Sequence, residues 1–165
     1  MKNKYDFSPN FVIFTLLDII SLRYLDLSNN ELKKIPDEIF KNLSSIETLL
    51  LQGNPLEYLN RDTFRNMSEL KTLDLIETEI DDFPPELTQE NYELVTLWLD
   101  RNHLTEVPEL THLKTLELVR LSQNPIEFIR QGDFSQLPHL GIFEMKLKRF
   151  IRSGLLLANC YYNLL

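Results

Sequence analysis

Three histidines, one cysteine and a run of carboxylates are the residues of this 165-residue chain with the reactivity for catalysis or metal binding. His103, His112 and His139 stand 9 and 27 positions apart with no cysteine beside them, a spacing that fits no compact zinc site. Glu77, Glu79, Asp81 and Asp82 carry the charge that calcium needs. The segment lacks the glycine and terminal glutamate of a calcium loop, so a solvated edge is expected there. Cys160 becomes a nucleophile only with a base beside it, and its tail supplies none. Gly53, Gly132, Gly141 and Gly154 are scattered and form no phosphate-binding loop. A chain without catalytic residues, cofactor or metal is expected.

Recognition chemistry is better represented. The only tryptophan, Trp98, lies 22 residues before Arg120, and these are the two residue types that most often dominate interface energy. Their relation depends on the elements that carry them, and those elements repeat. From Leu22, Ile46, Leu70, Leu94, Leu116 and Leu140 the chain reads "LRYLDLSNN", "IETLLLQGN", "LKTLDLIET", "LVTLWLDRN", "LELVRLSQN" and "LGIFEMKLK", at periods of 24, 24, 24, 22 and 24. Self-similarity at such a period signals a solenoid. A start at Leu113 for the fifth unit competes, but Leu116 keeps the asparagine slot at Asn124 and is preferred.

Each unit opens on a period-two stretch whose second and fourth residues face inward, so each is a short strand, and equal phase stacks the strands in parallel. One unit cannot bury its apolar row without the next, so stability is collective. The second half of each unit returns the chain through apolar positions such as Leu32, Ile35, Phe40 and Leu43, with Pro36, Pro84 and Pro108 suiting irregular turns. The expected fold class is α/β: a curved solenoid with a concave parallel sheet and a convex face of loops and short helical turns. Asn30, Asn54, Asn102 and Asn124 recur where strand bends into return, and their amides can satisfy backbone groups left unpaired inside. Thr78, shorter, and Lys148, charged, depart from this structural ladder, and the regular solenoid is expected to end at Lys148. The chain is read as a single domain: 1–21 a degenerate half-repeat or cap, 22–148 six repeats, 149–165 a tail or lid.

These units resemble the leucine-rich-repeat family. "NNELKKIPDEIFKNL" and "GNPLEYLNRDTFRNMSEL" resemble its typical 24-residue class in animal extracellular receptors, whereas "NHLTEVPELTHL" is similar to the 22-residue class of intracellular scaffolds. The resemblance implies a module that binds a protein or peptide partner on the concave sheet, in a receptor-type ligand-recognition domain or, alternatively, an intracellular scaffold or adaptor.

The outward strand positions form three columns on that face. Tyr24, Thr48, Thr72, Thr96, Leu118 and Ile142 make the first; Asp26, Leu50, Asp74, Trp98, Arg120 and Glu144 the second; Ser28, Gln52, Ile76, Asp100, Ser122 and Lys146 the third. The expected partner-binding residues are Trp98, Arg120, Asp74, Asp100, Leu50, Ile76, Tyr24 and Leu118. The plainer reading is that Trp98 covers neighbouring apolar surface with Arg120 lying against it.

Composition narrows the class. Hydrophobic residues at 43% and charged residues at 25% suit a folded globular chain. The net charge of −8, concentrated between Asp74 and Glu109, disfavours nucleic acid, whose phosphates need Lys and Arg. Phe11 to Ile20 is too short to span a bilayer and contains Asp18, so no direct membrane insertion is expected. With Cys160 alone, no intramolecular disulfide can form, which favours an intracellular protein or an excised piece, while the typical units favour an extracellular ectodomain. Asn42 and Asn66 head glycosylation sequons at equivalent places one repeat apart, and the repeat itself accounts for their phase.

Overall fold

A computed structural model describes residues 21–36, 39–127, 129–130, 132–145 and 161–163. All but the last residue of the expected cap at 1–21, together with Lys146, Lys148 and Cys160, lie outside these residues. Seven three-residue strands form one sheet in chain order: β1 Tyr24–Asp26, β2 Thr48–Leu50, β3 Thr72–Asp74, β4 Thr96–Trp98, β5 Leu118–Arg120, β6 Ile142–Glu144 and β7 Tyr161–Asn163. Every pairing is parallel, and the first five step one repeat at a time, Tyr24 to Thr48 to Thr72 to Thr96 to Leu118 to Ile142. The Thr96 to Leu118 step is 22 residues, so the fifth unit takes the phase that starts at Leu116.

The strands are held in place from beneath. Leu49, Leu73, Leu97 and Val119 are fully buried, as are the next inward residues Leu51, Leu75 and Leu99. Phe40, Phe64 and Phe134, with Leu43, Met67 and Leu137, close the core from the returning side. Those returns are turns apart from one 3-10 helix at Pro85–Thr88, started by Pro84 and Pro85 where no amide hydrogen is required. The convex face is therefore built of turns and this one helical turn among the described residues.

The sequence shows no repeat phase in its tail, yet Tyr161–Asn163 pairs with β6, Ile142 opposite Tyr161. The exposed edge of β6 is a template for any extended segment that reaches it, whatever its spacing.

Each of the strands β1 to β5 leaves through a tight bend that needs one left-handed residue. Asn29, Gly53, Glu77, Arg101 and Gln123 occupy this slot with φ between 56° and 69° except Glu77 at 54°, and each directly precedes a ladder position. Only one of the five is glycine. At Gly53 a Cβ would stand 2.4 Å from Asn29 Oδ1, so the neighbouring repeat as well as φ selects glycine there.

Candidate functional site

The ladder fixes the back of the sheet. Asn54 Nδ2 donates to Leu27 O (2.9 Å) and Leu51 O (2.7 Å), and its Oδ1 accepts from Asn30 N and Leu32 N, both at 3.0 Å. Asn102 repeats this with Leu75 O (2.7 Å), Leu99 O (3.0 Å), Thr78 N (3.0 Å) and Ile80 N (3.2 Å). Asn124 bridges Leu99 O and Leu121 O and accepts from Leu104 N. Asn30 donates to Leu27 O. Thr78 reaches Leu75 O through Oγ1 (2.8 Å) but extends no donor to the preceding repeat.

On this support the middle column stands in register, Asp26 beside Leu50, Leu50 beside Asp74, Asp74 beside Trp98, Trp98 beside Arg120, and Arg120 beside Glu144. Trp98, Arg120, Leu50, Ile76 and Leu118 are half-buried, and Tyr24 is 55% exposed. Arg120 places its guanidinium carbon 6.0 Å from the Trp98 ring centroid, within cation–π range. Its Nε lies 2.9 Å from Asp100 Oδ2 and 3.2 Å from Glu144 Oε2. These contacts are ion pairs by distance, but the N–H direction satisfies neither acceptor, and Nε and Asp100 Oδ2 have no directed hydrogen bond. The Trp98 indole Nε1 is likewise buried with no partner.

Asp74 and Asp100 occupy outward columns but are only 3% exposed each. Their short side chains fold down onto backbone amides: Asp74 Oδ1 accepts from Ile76 N and Asp100 Oδ1 from Ser122 N, both at 2.9 Å. Exposed Asp26 makes the same turn with Ser28 N. Burial pushes the Asp74 carboxyl above its ordinary value against the Ile76 bond and the charge of Arg120, while Asp100 and Asp26 push it further up. Burial likewise raises Asp100, opposed by Arg120 and the Ser122 amide and reinforced by Glu144. Trp98, Arg120, Asp74 and Asp100 thus form one cluster, with Leu50, Ile76 and Leu118 beside it and Tyr24 three strands away from Trp98 along the same face.

At the edge where each strand begins, Glu47 pairs with Arg23 and Lys71, both at 2.9 Å, and the Lys71 contact foremost holds its carboxyl below the ordinary range.

A second polar group lies on the convex side. Thr88 and Asn91 are fully buried, Asn91 Nδ2 donates to Phe64 O (3.0 Å) and Met67 O (2.8 Å), and Thr88 Oγ1 lies 3.1 Å from His112 Nε2. Repeat phase identifies it: Thr88 takes the slot of Phe40 and Phe64, and Asn91 that of Leu43 and Met67, at offsets of 24. The signal was available as two polar residues in two apolar slots. Asn91 Oδ1 has no partner.

Among the described residues there is no cluster of metal-ligating side chains, and no helix long and apolar enough to cross a membrane. Asn42 and Asn66 lie in turns, Asn66 exposed and Asn42 half-buried.

A Leucine rich repeat profile matches residues 20–80 and 45–104, together more than half of the chain. Among solved structures, a Leptospira interrogans LRR protein is similar at 33% identity and TM-score 0.72, over 80% of this chain and 33% of that one. A chain from the octameric complex of Latrophilin 3, Unc5D and FLRT2 (LRR) is similar at 27% identity and TM-score 0.71, over 77% and 40%. Internalin C2 from Listeria monocytogenes follows at 29% identity and TM-score 0.64, over 78% and 54%. The chain therefore spans between a third and about half the length of these solved chains. No curated protein sequence matches it.

Proposed function

The chain belongs to the leucine-rich-repeat family, and we propose that it is a non-catalytic recognition module that binds a protein or peptide partner on its concave face through the cluster around Trp98. The observation that carries this reading is the register that sets Trp98 beside Arg120 and Asp74 at the middle of the sheet, with Thr48, Thr72 and Thr96 running alongside. A rigid curved sheet with outward side chains offers a wide contact surface, and a half-buried aromatic ringed by polar groups is the usual centre of such a contact. The FLRT2 (LRR) complex is an assembly of protein partners, which supports protein as the ligand class. Receptor-type ligand recognition is the favoured setting, on the typical 24-residue units and the likeness to this complex.

The test uses a partner captured by the full chain. Trp98→Ala should weaken it by about 2 kcal/mol or more without unfolding the protein, because no inward position changes. Calorimetry against Lys41→Ala and Arg65→Ala on the convex side decides the face. Intact affinity in Trp98→Ala and Arg120→Ala, with loss in the convex variants, would overturn the reading.

A further inference from the structure

The two flanks of Trp98 are electrostatically unequal. On one flank Arg120 lies over the indole and between Asp100 and Glu144, so the protein supplies its own cation there. On the other the column runs through Asp74 and Leu50 to Asp26, and among the described residues neither Asp74 nor Asp26 forms an ion pair. Neighbouring parallel strands are about 4.8 Å apart, which puts Asp26 and Asp74 about 10 Å apart across Leu50. Asp26 is exposed and Leu50 half-exposed, so the slot opens to solvent. At its closed end Asp74 is 3% exposed.

Asp26 and Asp100 each act on Asp74, while Arg120 faces Asp100 and Glu144. Asp74 and Asp100 are already withdrawn from water by the fold. A cation arriving at Asp74 gains attraction in a lowered dielectric without the usual cost of stripping that carboxylate.

Resting on the concave-face reading above, we propose that the slot formed by Asp26, Leu50 and Asp74, walled by Trp98, receives a lysine or arginine side chain, so that the partner presents a basic segment to this face. The methylene stem lies on Leu50, the charged head sits between the two carboxylates, and the Trp98 ring completes the contact. The internal Arg120 fills the opposite flank and directs the incoming cation to one side of the indole.

The probe is a set of acetylated, amidated Gly/Ser heptapeptides differing only at the central residue: arginine, lysine, citrulline as the neutral isostere of arginine, or glutamate. Binding is read from the single indole N–H resonance of Trp98 and from the Leu50 methyls. Arginine and lysine peptides should shift both with dissociation constants in the millimolar range, the affinity of a single-side-chain contact. Citrulline should bind about tenfold more weakly, and Asp74→Asn and Asp26→Asn should each weaken the arginine peptide several-fold, since each removes one charge partner. Asp74→Asn keeps an amide oxygen for Ile76 N, so the turn survives, and a thermal melt verifies it. Glu90→Gln on the convex side should change nothing. Equal shifts by arginine and citrulline, an unaffected Asp74→Asn, or no shift at Trp98 with any peptide would overturn the cation slot. A glutamate peptide that shifts Trp98 and loses its effect in Arg120→Ala would overturn the slot while retaining the concave face. Shifts confined to residues around Lys41 and Arg65 would overturn the concave-face reading itself.

Discussion

The asparagine ladder behind the sheet and the Thr88–Asn91–His112 inlay on the convex side both place polar side chains where leucines would pack, yet they differ in what depends on them. In the ladder the donors to Leu75 O are Thr78 Oγ1 and Asn102 Nδ2, and those to Leu99 O are the amides of Asn102 and Asn124. In the inlay, Phe64 O and Met67 O already accept from Met67 N and Leu70 N, both at 3.1 Å, before Asn91 adds its own bonds. The ladder satisfies the backbone; the inlay decorates a backbone already satisfied and leaves Asn91 Oδ1 unpartnered. A buried polar residue stabilises a solenoid when its removal would orphan main-chain groups, and repetition is how a solenoid guarantees that.

The sharpest break of this contrast is Asn102→Ala. It removes bonds to three carbonyls, those of Leu75, Leu99 and Asp100, and from the two backbone amides of Thr78 and Ile80, and about 3 kcal/mol or more should be lost, since each buried group left unpaired costs about 1–3 kcal/mol. Thr72→Ala, at a half-exposed strand position, is the reference and should cost far less. Urea midpoints at unchanged m-value measure both; equal losses would mean that the ladder is not what holds the bend.

The ladder can also be improved. Thr78 reaches Leu75 O but not Leu51 O one repeat back, the group that the Nδ2 of Asn54 and Asn102 reaches in its own register at Leu27 O and Leu75 O. Thr78→Asn should therefore stabilise by about 1 kcal/mol, the net value of one added buried hydrogen bond. A loss instead would show that the space around residue 78 is closed to the longer side chain.

Asn91→Leu tests the other half of the comparison. The carbonyls it abandons retain backbone donors, an unpartnered buried oxygen disappears, and leucine is what the slot holds at Leu43. The change in stability should stay within about 1 kcal/mol in either direction, whereas Asn102→Leu should cost several times more. If Asn91→Leu proves as damaging as Asn102→Leu, the inlay is a structural bond network in its own right.

Periodicity decided how much of this was legible in the sequence. The six strands, their register, the inward leucines and Asn30, Asn54, Asn102 and Asn124 all follow from residues recurring at one phase, and the structure places them so. The grouping of Trp98, Arg120, Asp74 and Asp100 on one face was legible for the same reason. Their depth was not: alternation says which side a residue faces, but the folding of Asp74 and Asp100 onto backbone amides depends on side-chain length and a nearby bend. The inlay was missed because an isolated departure has no phase of its own to announce it. Strand β7 was missed because its 19-residue offset from β6 belongs to no repeat.

The smallest expected effect is a pH dependence, and it separates the inlay from the concave cluster by sign. Burial holds the His112 imidazole below its ordinary value, against a bond to the Thr88 backbone and the charge of Glu109, with Lys114 adding to the depression. The native state thus disfavours the imidazolium. Stability from this residue is fully present above the ordinary imidazole value of about 6.5 and is lost as pH falls from there through the lower folded value. Asp74 and Asp100 run the other way: their carboxyls are raised, so the fold gains as pH falls from their folded values toward the ordinary aspartate value of about 3.9. Denaturant midpoints of the wild type, His112→Gln and Asp74→Asn across the mildly acidic range resolve the two contributions. His112→Gln should flatten the decline just below neutrality, and Asp74→Asn should reduce the gain at lower pH while leaving the first window unchanged. Curves for His112→Gln that run parallel to wild type through both windows would show that burial does not hold His112 neutral.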